Sequence, residues 1–140
     1  MDNFVADGIF VDASPERVFD ALLTPEDICE WMVADEAEVA RQIGGRFFAR
    51  RADGSTVEGA IATLDNGNTL EIGNYFWERD GTRRGPMKLS AKLDPRHGGV
   101  WITLRQDGLD SGPDWKRFAQ DTRKELVAST VAMKRYIEGI

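Results

Sequence analysis

Few residues in this chain can do acid–base, nucleophilic or metal chemistry, and they stand apart from one another. His97 is the only histidine, so a catalytic triad or a histidine-bearing metal site would have to use it. It lies in DPRHGG, a stretch that reads as an exposed turn between strands. Cys29 is the only cysteine and reads as a small apolar side chain on a helix. One Cys and one His without neighbouring ligands do not make a structural zinc site. Asp107, Asp110 and Asp114 crowd together, but they lead into a helix start, where acids are favoured anyway, and they lack the calcium-loop pattern. Gly44-Gly45 has no G-x-G-x-x-G context for a nucleotide. Arg83 and Arg84, in TRRGP, read either as a solvated charged loop or as contacts for an acidic partner or a ligand carboxylate. No catalytic residue, metal ligand or cofactor is assigned.

Three other positions raise questions of binding. In LTPEDICEWM, Trp31 and Met32 close a short acidic helix. Trp31 either lines the mouth of a pocket or plugs the core, its indole N–H bonded to a nearby carbonyl. Asn74 is the polar member of the phase Leu70, Ile72, Asn74, Phe76 in LEIGNYFW. A buried amide needs partners, and their absence costs roughly 1–3 kcal/mol, which a polar ligand group or water would relieve. The other reading is a bulge at Gly73 that turns Asn74 outward. Thr122, on an apolar helix stripe, is a similar candidate.

The elements that would position these residues are legible from period and punctuation. Asn3 to Val11 reads as a strand. SPERVFDALL follows, with Ser14 as N-cap and Pro15 at the first helical position. TPEDICEWM repeats the device with Thr24 and Pro25, and the dipole favours Glu26 and Asp27. From Asp35 the period becomes alternating. EAEVAR, GGRFFARR, STVEGAIATL, TLEIGNYFW, MKLSAKL and VWITLRQ read as six strands. Asp53-Gly54 and Asn66-Gly67 punctuate them, the latter predicting a type I′ turn, and the charged loop ERDGTRRGP precedes MKLSAKL. Met87, Leu89, Ala91 and Leu93 share one face; Val100, Ile102 and Leu104 share another. Last comes a long helix, started by Ser111 or Gly112 with Asp114 closing a capping interaction. Its stripe is Trp115, Phe118, Thr122, Leu126, Ser129, Met133 and Ile137. At 1.5 Å per residue it is on the order of 40 Å long, enough to lie across a sheet. A seven-stranded antiparallel sheet curved around this helix, with two short helices after the first strand, accounts for the order.

Composition sets the outer bounds. The 140 residues are 41% hydrophobic and 30% charged, which fits one soluble domain spanning 1–140. A net charge of −6 and a pI near 4.8 argue against nucleic acid and against anionic membrane as partners. One cysteine allows no intrachain disulfide, which suits a reducing compartment. The N-terminus lacks the basic and apolar regions of a signal peptide, and no stretch approaches the roughly 18 apolar residues of a membrane span. A cytoplasmic protein is expected.

This order of elements, with VDASPERVFDALLTPEDICEWM, GGRFFARRADGSTVEGAI and a late helix ending MKRYIE, resembles the helix-grip (START-related, SRPBCC) superfamily. Within it, the chain is similar to the branch related to the activator of the heat-shock-protein-90 ATPase, from about Phe4 to Glu138. The resemblance implies an α+β helix-grip fold with a cavity between sheet and helix, often used for an apolar ligand. It supplies no shared catalytic residue. Members of the branch often carry Gly-Trp where this chain has Glu125-Leu126; a smaller residue there enlarges the cavity, unless Trp115 or Trp31 fills it. The expected ligand-binding residues are Trp31, Met32, Ile72, Asn74, Phe76, Leu89, Ile102, Phe118, Thr122 and Leu126. The leading expectation is non-enzymatic binding of a small apolar molecule by a monomer or homodimer. The alternatives are a co-chaperone-like interaction module, or a cyclase or dehydratase acting on a polyketide-like substrate. The last needs a positioned acid or base in the cavity, and no Asp, Glu, His or Lys is expected on the inward faces.

Overall fold

A computed structural model describes residues 3–110 and 112–139. The chain runs β1 (Phe4–Val11), α1 (Pro15–Leu23), α2 (Pro25–Trp31), β2 (Ala34–Val39), β3 (Arg46–Arg51), β4 (Thr56–Asp65), β5 (Thr69–Arg79), β6 (Thr82–Arg96), β7 (Gly99–Asp107) and α3 (Pro113–Glu138). All seven strands form one curled antiparallel sheet in the order β1-β7-β6-β5-β4-β3-β2. Strands β2 to β7 are a meander. β1 closes against β7 in continuous register, from Phe4 opposite Asp107 to Val11 opposite Val100. The two short helices carry the chain from one sheet edge to the other. At that far edge β2 exposes Asp35, Glu36 and Glu38, charges that discourage pairing with another chain.

The helix signals hold with two differences. Ser14 caps α1, its hydroxyl oxygen accepting the Arg17 N–H at 3.1 Å. Thr24 does not cap α2; its hydroxyl donates back to the Asp20 carbonyl at 2.9 Å. That carbonyl also accepts the Thr24 N–H at 3.0 Å, so Thr24 closes α1 with both its backbone and its side chain. Gly112 is the N-cap residue of α3, so no side chain caps it, Asp114 included; Ser111 lies outside the described residues. At the other end Gly139 takes the left-handed conformation and its N–H returns to the Arg135 carbonyl.

Turn chemistry explains where the strands differ from expectation. At Asn66-Gly67 only the glycine has positive φ (78°), so the turn is not type I′. The charged stretch after Trp77 is no loop. Asp80 (φ 50°) and Gly81 (φ 78°) make the two-residue turn that Asn66-Gly67 does not, with Arg79 opposite Thr82. β6 therefore begins at Thr82 and already carries Arg83 and Arg84. Their guanidiniums lie over aromatic rings: Arg83 over Phe76 at 4.1 Å, Arg84 over Trp115 at 5.2 Å and Phe118 at 5.1 Å.

The inward faces of β6 and β7 are as expected, with Met87, Leu89, Ala91, Leu93, Val100, Ile102 and Leu104 buried. β5 is not, and two expected cavity residues leave the cavity. Ile72 pairs with Leu89 but Tyr75 pairs with Met87, so β5 carries one extra residue there, and its pairing with β4 slips at the same place. Asn74 sits on this bulge with φ 45°. The side-chain period is two, so one inserted residue reverses every face beyond it. Asn74 is exposed and Phe76 lies on the outer face beneath Arg83. Tyr75 instead points inward, 2% exposed, and Trp77 packs on the core. The bulge nests on Gly59, where a Cβ would lie 2.6 Å from Ile72 Cγ2 and 2.8 Å from the Gly73 carbonyl.

α3 lies against β1, α2 and β7. Phe118, Thr122, Leu126, Ser129 and Met133 are its buried stripe, flanked by half-buried Trp115 and Ile137.

Candidate functional site

Trp31 answers its question by hydrogen bonding. Its indole N–H donates to the Ala21 carbonyl at 2.8 Å, and the residue is 2% exposed. α1 ends at Leu23, the chain turns extended at Thr24 (ψ 121°), and the next residue is Pro25. No backbone N–H follows in place to serve Ala21, so the indole does. Met32, 6% exposed, ends α2 beside it.

Two small voids and one open vestibule lie around Trp31 and Met32, where the short helices, the sheet and α3 meet. Directly beneath α3 a void of about 20 Å³ is lined by Trp31, Met32, Tyr75, Leu89, Leu104 and Leu126, with Arg51, Gln106, Thr122, Glu125 and Ser129 as its polar side. A void of about 10 Å³ lies next to it, between Trp31, Phe47 and Ile72. Each has room for about one water; drug-sized ligands occupy roughly 300–1,000 Å³. The vestibule, about 250 Å³, opens at the α2 end between Met32, Val33, Ala52, Asp53 and Ala128. It shares Met32, Arg51, Glu125 and Ser129 with the inner void.

An ion pair lies in the lining that the two spaces share. Arg51 Nη1 bonds Glu125, with the two side chains 14% and 35% exposed. Burial by itself lowers the Arg51 pKa, but the Glu125 carboxylate overrides it, and the guanidinium sits above its ordinary value. Its Nε is buried without a hydrogen-bond partner. Tyr75 lies fully buried nearby. Burial pushes its phenol far up, offset only in part by Arg51, so it stays a neutral hydroxyl and is a donor, not a base. The Gln106 amide donates to Met87 Sδ at 3.2 Å.

Of the expected ligand-binding residues, Trp31, Met32, Leu89, Thr122 and Leu126 line the inner void and Ile72 the adjacent one. Ile102 and Phe118 are buried in the core, Phe118 stacked on Trp77 at 4.9 Å. Asn74 and Phe76 are outside, for the reason given by the bulge. The expectation of inward faces free of ionisable side chains fails at Glu125, with Arg51 and Tyr75 beside it. Arg51 had a signal: it shares its phase with Phe47 and Ala49, both fully buried. Gln106 likewise continues the face of Ile102 and Leu104. Glu125 had none, since it flanks the stripe one residue before Leu126.

Elsewhere the chemistry-capable residues are dispersed. His97 is exposed in the β6–β7 turn. Asp107 accepts from Arg105 at 2.8 Å. Among the described residues no group of three His, Cys, Asp or Glu is placed to hold a metal ion, and no helix is long and apolar enough to cross a membrane.

A curled antiparallel sheet clasping a C-terminal helix, with two short helices after the first strand, defines the helix-grip, START-related class. Within that class the chain belongs to the family described as Activator of Hsp90 ATPase homolog 1-like protein, whose sequence profile matches residues 12–133. No curated protein matches the chain by sequence. Among solved structures, protein MLL2253 from Mesorhizobium loti superposes with a TM-score of 0.80 at 18% identity, covering 98% of each chain. The Aha1 dimer from Colwellia psychrerythraea gives 0.79 at 15% identity over 96% of each chain. DynU16, described as a putative protein in the dynemicin biosynthetic locus, gives 0.75 at 13% identity over 99% of this chain and 48% of that one. At these identities the likeness is one of fold.

Proposed function

We propose that this domain binds a small, largely apolar molecule without catalysing a reaction, entering through the vestibule and seating beneath α3. The observation that carries the reading is an open vestibule of about 250 Å³ that shares Met32, Ser129 and the Arg51–Glu125 ion pair with a partly polar inner void. The inner void is too small for a ligand as it stands, so occupation requires α3 to shift. Its ties are arranged for that. The C-terminal half is fixed by Thr130 to Asp7 (2.8 Å), Lys134 to the Phe10 carbonyl (2.8 Å), Tyr136 to Asp27 (2.6 Å) and the Asp12 N–H to Glu138 (2.7 Å). Among the described residues, the first half has Arg51–Glu125 as its one ion-paired tie to the sheet. Local opening is cheapest where such ties are few. The test is thermal shift and native mass spectrometry with neutral apolar probes, 1-decanol and naphthalene. Binding to the folded state raises the melting temperature with probe concentration; no shift and no adduct with these probes or with their acidic counterparts, decanoate and 2-naphthoate, would remove the reading.

The family membership favours a second reading, contact with a protein partner: a chaperone ATPase or a second copy, as in the Colwellia relative. Val127 and Val131, one turn apart on the outer side of α3, are 43% and 36% exposed and offer an apolar patch. Sedimentation equilibrium tests self-association. An ATPase titration with purified Hsp90 tests the other, and an unchanged rate would end it.

A further inference from the structure

We infer that the ligand carries a carboxylate, and that this carboxylate replaces Glu125 on Arg51 when the site opens. The inference rests on the binding reading above and adds the chemical class of the ligand. Among the described residues, Arg51 is the only cation lining either space. Its side chain is 14% exposed, Glu125 meets it at Nη1, and its Nε is buried with no acceptor. The guanidinium is thus paired incompletely, whereas its fork geometry matches a planar carboxylate held by two parallel N–H donors.

The energetics of opening point the same way. With the ion pair intact, Arg51 and Glu125 stand in the lining common to the vestibule and the inner void. With Glu125 swung out, Arg51 is left as an unpaired, largely buried charge, a costly state. A neutral ligand cannot offset that cost; an acidic one does so with the same contact that anchors it. Glu125 is free to leave: it is 35% exposed on the flank of α3, and its departure breaks no helical hydrogen bond. Asp53, the other acid at the vestibule, is already engaged by the Ser55 N–H at 2.8 Å and hydroxyl at 2.6 Å, so it is a poor substitute for Glu125. The rest of the inner lining, Trp31, Leu89, Leu104 and Leu126, is suited to an apolar body.

The experiment compares matched pairs, decanoate with decanamide and 2-naphthoate with 2-naphthamide, by isothermal titration calorimetry on the wild type, R51M and E125Q. A charge-assisted pair is expected to favour each carboxylate by about tenfold in the wild type. R51M is expected to erase that preference, so that each carboxylate binds no more tightly than its amide. E125Q is expected to tighten the carboxylates by about another tenfold, because no ion pair has to be broken first. E125Q alone decides the matter should R51M not fold. Amides and carboxylates that bind equally in the wild type, or an E125Q protein with unchanged carboxylate affinity, would overturn the inference while leaving the binding reading intact. If no probe of either kind binds to any of the proteins, the binding reading itself fails.

Discussion

Replacing Trp31 with phenylalanine isolates the interaction that joins α1 to α2. The Ala21 carbonyl is fully buried, and the indole N–H at 2.8 Å is its donor. Phenylalanine fits the space but donates nothing, so the carbonyl is left unpaired at a cost of about 1–3 kcal/mol. The smaller ring also buries less apolar area, which adds on the order of 1 kcal/mol. The expected loss is therefore about 2–4 kcal/mol, against a total stability of roughly 5–15 kcal/mol for a domain of this kind. The protein remains folded, so the loss is measurable by urea denaturation followed by far-UV circular dichroism, with an unchanged m value. Trp101→Phe is the control: Trp101 is 38% exposed on the outer face, and a change of about 0.5 kcal/mol or less is expected there. Should Trp31→Phe cost no more than that control, the indole would not be serving the carbonyl, and the account of how α1 ends would be wrong.

Other perturbations separate further claims. Gly59→Ala should cost about 1–3 kcal/mol or more, because its Cβ meets Ile72 and the Gly73 carbonyl at the bulge. Gly73→Ala, with only Ala62 Cβ at 3.7 Å, should change stability by about 0.5 kcal/mol or less; equal urea midpoints for the two would contradict the bulge geometry. Thr130→Val should lose about 1.5–3 kcal/mol by removing a buried hydroxyl from the Asp7 carboxylate, with Thr130→Ser restoring most of it. The Asp12 N–H and Lys134 hold the Glu138 pKa below its usual 4.5. A depressed carboxylate stabilises the fold fully above its unfolded pKa, and that contribution disappears as pH falls through the folded value. Glu138→Gln should therefore lower the melting temperature at pH 7 and flatten its decline on acidification below about pH 4.5. Parallel wild-type and variant acid limbs would count against this.

The two sheet faces and the helix stripe were readable because they follow local periods. Met87 to Leu93 and Val100 to Leu104 alternate without interruption, and Phe118 to Met133 keeps helical spacing. Each residue's face is then fixed by its neighbours in sequence. The same reasoning places Arg51 inward, in phase with Phe47 and Ala49; the residue was legible even though its partner was not. β5 broke the rule. A single inserted residue at Gly73-Asn74 exchanges Asn74 and Phe76 for Tyr75 and Trp77, and what admits the insertion is Gly59 on the neighbouring strand, fourteen residues earlier in the chain.

By itself, then, the sequence determined the order of elements, the dry faces of β6 and β7, the start of α1 at Ser14-Pro15, and the family to which the chain belongs. These are set by contacts a few residues apart or by patterns repeated along an element. Tertiary structure alone decided that Glu125 faces Arg51, that Trp31 serves a carbonyl stranded by Pro25, and that the space beneath α3 closes to about 20 Å³. Those outcomes depend on distances between elements far apart in the chain, where a slip of one residue or a small change in how α3 seats redirects a side chain. No periodicity along a single strand or helix encodes them.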